Sequence, residues 1–329
     1  MTKPRIGFLG VGWIGRHRMA AMLDTGAVEA AAISDPSPEM AAEAQALAPG
    51  AEVVPSLDAM LALGLDGVVI ASPSALHAEQ SIRALEAGAA VFCQKPLGRD
   101  AAEAADVVAA ARAADRLLGV DFSYRFTAGM QRIAELVRSG AIGHVHAVDL
   151  TFHNAYGPDK PWFYDRAQSG GGCVMDLGVH LVDLALWTLG FPAVTGEVAA
   201  NLFAGGHPLS SGSPEVEDYA SASFTLAGGT VVRLTCSWRL HSGRDAEIAA
   251  AFYGTAGGAA LRNVGGSFYD FVAEHYTGTA CQPLASGPEE WGGRAAADWA
   301  ERLGRGERFD PAAEQLVAVA RVLDRIYAA

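Results

Sequence analysis

The sequence contains few cysteines, and those that it has lie far apart. Cys93, Cys173, Cys236 and Cys281 form no C-x-x-C pair and have no ligand partner at zinc spacing. This pattern argues against a zinc site and a disulfide framework, and it predicts buried thiols in a reducing compartment. We therefore expect no metal centre.

Positive charge is also scarce. The 329 residues include 24 Lys and Arg against 37 Asp and Glu, which gives a formal net charge of −13 and a pI near 5.1. The basic residues are scattered along the chain. Both features argue against nucleic acid or an anionic membrane as a partner.

The sequence has no long apolar run and no secretory leader pattern. The first residues, MTKPRIGFLGVG, lead directly into a strand pattern, and the run LVDLALWTLG is interrupted by Asp183. A membrane-spanning helix needs a longer apolar stretch. We therefore expect a cytoplasmic protein with no membrane partner.

Half of the residues are apolar, enough to bury the cores of two domains. Up to about residue 122, short apolar runs alternate with segments of helical length: RIGFLG, VEAAAISD, GVVIAS, AAVFCQ and LLGVDF are the strand candidates. This alternation predicts a doubly wound parallel sheet of Rossmann type over residues 1–122.

The pattern changes in residues 123–329. A helix AGMQRIAELVRSG, a strand HVHAVDLTFHNAY and the loop GPDKPWFYDRAQSGGG precede a helix at about 173–189. Strand candidates then fill 194–276, with AGGT as a hairpin turn, before closing helices at 289–303 and 311–327. The fold class is therefore expected to be α/β plus α+β, with an open, mostly antiparallel sheet in the second, substrate-binding and oligomerisation domain.

A glycine-rich turn follows the first strand. Gly10, Gly12 and Gly15 stand in the order G-x-G-x-x-G before a helical pattern. The first glycine permits a tight turn, the second lets the backbone approach a pyrophosphate, and the third lets the helix pack on the strand. Trp13 and Ile14 then belong to a helix N-terminus that can bind phosphate. A tight turn without a ligand remains the alternative.

The second strand ends on Asp35, twenty residues after Gly15. A carboxylate there can accept hydrogen bonds from the adenosine ribose and repel a 2′-phosphate, which favours NAD over NADP. Asp35 could also serve as a helix cap before PSPEM. Arg16 lies just inside the first predicted helix, and a guanidinium there could accommodate a 2′-phosphate. Binding of NADP is therefore the alternative.

Three further residues, Ser72, Pro73 and His77, lie at the end of the strand candidate GVVIAS and just after it, while Gln94 lies at the end of AAVFCQ and Lys95 just after it. Ligands of open parallel sheets bind at the carboxyl ends of the strands, so these positions are predicted to line the cofactor crevice. The proline after Lys95 restricts the backbone conformation of Lys95. This restriction favours an ammonium group held in one direction over a surface lysine that moves freely in solvent.

In the second half, Asp176 and His180 are four residues apart on a predicted helix and therefore on one face. A carboxylate beside an imidazole suits proton transfer near neutral pH. A local structural pair is the alternative. A metal site is disfavoured because no third ligand follows at a recognisable spacing.

These motifs together resemble the Gfo/Idh/MocA oxidoreductases, which include inositol dehydrogenases and glucose–fructose oxidoreductases. The resemblance covers essentially the whole chain and rests on the glycine turn, SPSALH before ALEAGAAVFCQKPL, YRF and SGGGCVMDLGVHLVDLALWTLG. It implies NAD(P)-dependent oxidation of a secondary alcohol of a sugar, polyol or cyclitol. It also implies a polar site formed by Lys95, Asp176 and His180. The glutamate of the family's E-K-P motif is replaced here by Gln94.

For such a reaction we expect His180 to act as general base, Asp176 to orient it, and Lys95 to stabilise charge on the substrate oxygen. Gln94 removes a negative charge beside Lys95. Two alternatives stay open within the same resemblance. One is an NAD-dependent glycosidase, and the other is a non-catalytic protein that senses a dinucleotide or a sugar.

The loop and its flanking residues supply candidates for substrate contact. His153, Asn154 and Trp162 offer polar groups and a flat face that suit a polyhydroxylated ring, although surface or subunit contacts would explain them equally. Tyr124 and Arg125 are further candidates, with a structural bridge as the alternative. A sheet covered by helices on one face also predicts a homodimer or homotetramer.

Overall fold

The computed structural model describes residues 2–210 and 212–329. The chain divides into two compact units. One comprises Met1–Ser123 and Gly292–Val317, and the other comprises Tyr124–Trp291 and Ala318–Ala329.

The first unit contains a six-stranded sheet in the order β3-β2-β1-β4-β5-β6, in which all neighbours are parallel. This confirms the predicted Rossmann sheet. Strand β3 was not predicted, because two residues are too short to show a period. The strands are β1 Arg5–Leu9, β2 Glu29–Ser34, β3 Glu52–Val53, β4 Gly67–Ile70, β5 Ala90–Cys93 and β6 Leu118–Val120.

Helices connect these strands, and short polar side chains start several of them. Ser37 Oγ accepts from the Met40 amide, and Asp100 accepts from the Glu103 amide, so both satisfy amides that a helix start leaves unpaired. The helices are α1 Trp13–Asp24, α2 Pro38–Leu47, α3 Leu57–Leu61, α4 Ser74–Glu86 and α5 Ala101–Ala114.

Helix α9, Arg294–Gly304, also belongs to the first unit. Its Trp299 packs against Phe92, with 5.9 Å between ring centroids. A Cβ on Gly67 or Gly119 would come within 2.8 Å of the Trp299 ring, so the two strand glycines make room for the indole. The sequence-based division assigned 292–317 to the second domain, whereas this packing groups it with the first unit.

The second unit contains a nine-stranded sheet in the order β15-β14-β13-β12-β7-β11-β10-β8-β9. Among the strands that the structure describes in this sheet, only β7 and β11 pair in parallel, so the expected mostly antiparallel sheet is confirmed. The strands are β7 Val145–Asn154, β8 Val194–Ala204, β9 His207–Pro208, β10 Tyr219–Leu226, β11 Val231–Ser237, β12 Ala246–Gly254, β13 Gly258–Asn263, β14 Phe271–Thr277 and β15 Ala280–Ala285.

Helices cover one face of this sheet. Alternation along β7 buries Val148, Leu150 and Phe152, and the Phe152 ring faces that of His180 on α8. The α-helices are α6 Ala128–Arg138, α7 Arg166–Ser169 and α8 Val179–Leu189, the last preceded by a π-helical turn Val174–Gly178; α10 spans Glu314–Ala328. The segment Arg166–Leu189 contains an 18-residue window that is apolar enough to span a membrane, but 78% of that window is buried within the protein, as in a core helix.

The cysteines are all free, as expected, but they are not all buried. Burial raises the pKa of Cys93 to about 12. Cys173 and Cys236 are also buried, with their sulfurs 3.9 Å apart. The expected burial is wrong for Cys281, because it lies on β15, at the edge of the sheet, where its side chain is exposed.

We predict that Trp299→Ala will destabilise the first unit by roughly 3–5 kcal/mol, because it leaves a cavity between α9 and the sheet. Trp299 is 2% exposed, whereas Trp13 is 63% exposed, so Trp13→Ala is the matched control. Urea unfolding followed by circular dichroism checks the prediction. Equal midpoints for the two variants would contradict it.

Candidate functional site

The glycine turn of the first unit has the geometry of a phosphate-binding loop. Gly10 has φ +82°, and a Cβ on it would lie 2.5 Å from the Ala71 carbonyl oxygen. A Cβ on Gly15 would lie 2.2 Å from the Gly10 oxygen. Packing therefore requires both glycines. Gly12 differs, because no described atom lies within 4 Å of a Cβ placed there, which fits the close approach of a pyrophosphate.

Helix α1 begins directly after this turn. Gly12 is its N-cap, and no described side chain hydrogen-bonds to the cap. Trp13 and Ile14 occupy the first two helical positions. A helix start without a side-chain cap presents its amides and its positive dipole end to an anion. The residues present thus fit a dinucleotide at this turn.

Asp35 organises the same turn. One carboxylate oxygen accepts from the Val11 amide at 2.7 Å, and the other accepts from the Ser37 amide at 2.8 Å. The cap of α2 is Ser37, so Asp35 is not that cap. Arg16 forms an ion pair with Glu43 at 2.7 Å and donates to the Val11 carbonyl at 3.0 Å. The guanidinium that could have taken a phosphate is therefore held by a carboxylate.

His77 is buried on α4, with both ring nitrogens against backbone carbonyls. Nδ1 lies 2.6 Å from the Pro96 oxygen, and Nε2 lies 2.7 Å from the Ser72 oxygen. Burial lowers the pKa of His77, and the two carbonyls partly oppose this. The ring thereby connects the ends of β4 and β5, and it fixes the residue that follows Lys95. The Lys95–Pro96 peptide bond is cis.

Gln94 is also buried. Its amide nitrogen donates to the carboxylate of Asp121 at 2.7 Å, and Arg18 pairs with the same carboxylate. Ser72 donates to Gln80, with Pro73 between Ser72 and the start of α4. Sequence reasoning missed Arg18 and Asp121, because nothing in their local pattern distinguishes them from ordinary surface residues.

In the second unit, Asp176 and His180 lie on the stretch in which the π-helical turn passes into α8. Asp176 accepts a hydrogen bond from the indole nitrogen of Trp238 at 3.0 Å. The buried His180 ring packs edge-on to Tyr124, with centroids 4.9 Å apart, and lies 6.4 Å from Phe152. Single π-helical turns occur frequently at functional sites.

Trp238 is a functional candidate that the sequence did not reveal. It directly follows β11, and its side chain is buried. Phe163 and Tyr164, from the loop before α7, pack edge-on to it at 6.3 and 5.5 Å. The indole therefore packs against two aromatic rings while it donates to Asp176. The sequence offers one signal for this residue, which is a tryptophan at the end of a strand. However, 62 residues separate Trp238 from Asp176, its hydrogen-bond partner.

The buried carboxylate of Glu217 fixes the start of the helix. It accepts from the amides of Gly172 and Val174 at 3.0 and 2.9 Å and from the Tyr327 hydroxyl at 2.8 Å. A Cβ on Gly172 would lie 1.9 Å from the Glu217 carbonyl, which explains the glycine. Burial raises the pKa of Glu217, and these donors partly oppose the rise.

Arg125 has the geometry of a structural bridge. Its guanidinium makes a two-pronged ion pair with the buried Asp183, with one contact at 2.8 Å, and lies over the Phe191 ring at 5.5 Å. Burial raises the pKa of Asp183, and the Arg125 charge opposes this rise. Tyr124, by contrast, contacts His180 directly. The structure therefore places Tyr124 against the His180 imidazole, whereas Arg125 forms an ion pair with Asp183.

The predicted residues of β7 separate onto two faces. A hydrogen bond of 2.8 Å joins His153 Nδ1 to the Ser237 hydroxyl. The His153 side chain lies on the face opposite Phe152, so the structure does not bring it to His180. Asn154 lies on the Phe152 face, and within the described chain its buried Oδ1 has no hydrogen-bond partner. Trp162 stacks on Phe163 at 3.8 Å, in the loop that packs on Trp238.

The described residues contain no group of three or more His, Cys, Asp or Glu side chains that could hold a metal ion. In the first unit, Asp35 accepts from amides and Asp121 pairs with a guanidinium, and in the second unit Glu217 accepts from amides and Asp176 from an indole. What the arrangement offers chemically is a dinucleotide-binding turn in one unit and an acid, an imidazole and aromatic surfaces in the other.

Comparison with known proteins gives matches to both units. Residues 4–122 match the model of an oxidoreductase family with an NAD-binding Rossmann fold, and residues 130–260 match the GFO/IDH/MocA C-terminal domain. Levoglucosan dehydrogenase, solved with NADH and levoglucosan, has the same fold: the TM-score is 0.84 at 22% identity, covering 99% of this chain and 96% of that one.

Two curated relatives are 30% identical. Inositol 2-dehydrogenase of Rhizobium meliloti (strain 1021) aligns over 262 residues, 79% of this chain and 76% of that protein. D-glucoside 3-dehydrogenase of Escherichia coli (strain K12) aligns over 211 residues, 61% of this chain and 60% of that protein's length. The expected resemblance is confirmed: the chain belongs to the GFO/IDH/MocA family of oxidoreductases.

Proposed function

We propose that this protein transfers a hydride between a nicotinamide coenzyme and a secondary alcohol or ketone of a sugar, polyol or cyclitol. The proposal rests on the placement of Asp176 and His180 four residues apart, where the π-helical turn passes into α8, with Trp238 donating to the acid. Family membership and the glycine turn support it. So do the names of the two relatives, which are dehydrogenases of a glucoside and of inositol.

The coenzyme we propose is NAD. The carboxylate of Asp35 at the glycine turn would repel a 2′-phosphate, and Glu43 neutralises the nearby Arg16. We expect Gly10, Gly12, Gly15 and the start of α1 to hold the pyrophosphate. When bound, the nicotinamide supplies the hydride acceptor for the alcohol carbon or the donor for the ketone.

The protein's own task is to hold the substrate oxygen and move its proton. We assign His180 as the group that takes the hydroxyl proton, with Asp176 orienting it and stabilising its charged form. Lys95 would donate a hydrogen bond to the same oxygen and stabilise its negative charge. In the direction of ketone reduction, the proton passes from His180 to the oxygen.

Substrate selection would come from the residues that surround this pair. The unpartnered Oδ1 of Asn154 suits a donor hydroxyl, since an unsatisfied buried acceptor is costly. Tyr124 and Trp162 offer aromatic faces for a sugar ring. Arg125 and His153 are instead engaged by Asp183 and Ser237.

We also propose that the protein is cytoplasmic and forms a homo-oligomer through the second unit. The sheet face opposite Phe152 carries the exposed ion pair of Arg233 and Asp149, together with the exposed Val231. A second copy would cover this face. Light scattering of the purified protein measures the oligomeric state, and a monomer would contradict this assignment.

Lys95→Ala and His180→Ala should each lower kcat by about 10²- to 10⁴-fold, because each removes a group that handles charge on the reacting oxygen. The measurement is NADH formation across a panel of sugars, cyclitols and sugar acids with NAD or NADP. Lys3→Ala and His146→Ala are matched controls, because both side chains are exposed. Turnover of Lys95→Ala at the parent rate would defeat the assignment.

The same panel separates the alternative functions. Release of a leaving group from a glycoside without net NADH would favour a transient-oxidation glycosidase. Tight NADH binding without turnover of any compound would favour a sensing protein.

Trp238→Phe should lower kcat by about 10- to 100-fold with little change in KM, because it removes a hydrogen bond to the Asp176 carboxylate while keeping an aromatic ring. The matched control is Trp187→Phe. Trp187 lies near the end of α8, far along the chain from Asp176. Steady-state kinetics on the best substrate provides the test. Equal kcat values for both variants would show that the indole hydrogen bond does not matter.

Asp35→Ser together with Glu43→Gln should raise the ratio of kcat/KM for NADP to that for NAD by about 10- to 100-fold, because it frees Arg16 for a phosphate. Glu39→Gln, on the same helix but without this ion pair, is the control. An unchanged ratio in the double variant would argue that neither acid sets the coenzyme preference.

A further inference from the structure

The ends of two neighbouring strands in the first unit share a buried polar network. Gln94 is 8% exposed, Asp121 2% and Arg18 7%. One carboxylate oxygen of Asp121 accepts from Gln94 Nε2 at 2.7 Å and from Arg18 Nε at 2.6 Å. The other accepts from the hydroxyl of Ser123, which also receives a hydrogen bond from Arg18 at 3.1 Å.

Strand register explains why these residues meet. Cys93 on β5 pairs with Val120 on β6, so the next residues, Gln94 and Asp121, lie side by side where the parallel strands end. The Gln94 amide donates to the Ile70 carbonyl at 2.9 Å, and the Asp121 amide donates to the Cys93 carbonyl at 3.0 Å. The residue before Lys95 is therefore fixed through its backbone and through its side chain.

The network joins the Asp121 carboxylate and the Arg18 guanidinium through an amide and a hydroxyl, and Nδ1 of the half-buried His17 lies 2.8 Å from Arg18. The amide nitrogen of Gln94 is a donor, and an ionised glutamate has none. Glutamate at position 94 would place two carboxylates against one guanidinium in a buried site, which penalises ionisation of one of them. A neutral donor is required at position 94 because the carboxylate stands at position 121.

We propose that in this protein the end of β6 supplies the carboxylate and the end of β5 supplies the amide of this network. Asp121 supplies, from the end of β6, the negative charge that an E-K-P motif would place directly before the lysine. Asp121 is then a positioning residue that acts on Lys95 through Gln94. This inference rests on the proposed role of Lys95 in the reaction.

The test is a cycle of three variants: Gln94→Glu, Asp121→Asn and the exchanged double variant Q94E/D121N. Each single variant should lower kcat by about tenfold or more and lower the thermal unfolding midpoint, because each breaks the one-acid, one-amide balance. The double variant should recover kcat to within about threefold of the parent and restore the midpoint. NADH affinity should stay within about twofold throughout, because positioning of Lys95 acts on kcat.

Asp115→Asn is the matched control, since Asp115 also pairs with an arginine, Arg308, but is exposed. It should leave kcat unchanged. If a single variant does not fold, the double variant decides alone. A double variant that is unfolded, or that is folded but as slow as the worse single variant, overturns the proposal.

Lys95→Ala separates this inference from the function on which it rests. A parent-like rate for Lys95→Ala defeats the role of Lys95, while recovery of the unfolding midpoint in the double variant still supports the proposed network. A slow Lys95→Ala combined with single variants at the parent rate defeats the positioning role of Asp121 alone.

Discussion

The hydrogen bonds from the Gly172 and Val174 amides to Glu217 are the constraint on which the second unit's polar site depends. They fix the start of the helical stretch that carries Asp176 and His180. The π-helical turn Val174–Gly178 follows at once and carries Asp176, and His180 lies at the start of α8 directly after it. Trp238 then holds the Asp176 carboxylate from the strand side. The buried Glu217 carboxylate thus fixes the backbone at the start of the helix, and the Trp238 indole fixes the side chain of Asp176.

Carboxylates that are buried or half-buried play the same part elsewhere in the chain. Asp121 binds Arg18, Asp183 binds Arg125, and Asp35 binds two backbone amides. Burying a charge without a partner is costly, so each acid strongly favours the one arrangement that supplies its donors. Such pairs contribute modest net stability but define geometry closely, and geometry is what a proton-transfer group requires.

The sequence pattern was sufficient for the elements whose signal is local. Apolar runs of strand length predicted five strands of the Rossmann sheet, and glycine spacing predicted the turn before α1. The sequence pattern did not predict contacts between residues that lie far apart in the sequence. Trp299 belongs to the first unit because Gly67 and Gly119 leave it space, and no period in 292–317 shows this. Glu217 and Trp238 likewise meet the helix across 43 to 62 residues.

Gln94 shows how such distant pairing changes the meaning of a motif. In the linear sequence, a glutamine before Lys95 is a lost charge. In the sheet, the parallel register of β5 and β6 sets Asp121 beside it, so a charge is present within the same buried network. Arg18 from α1 pairs with that carboxylate. A short motif therefore specifies a local charge arrangement, which a neighbouring strand can supply equally well, because neighbouring parallel strands end at the same edge of the sheet.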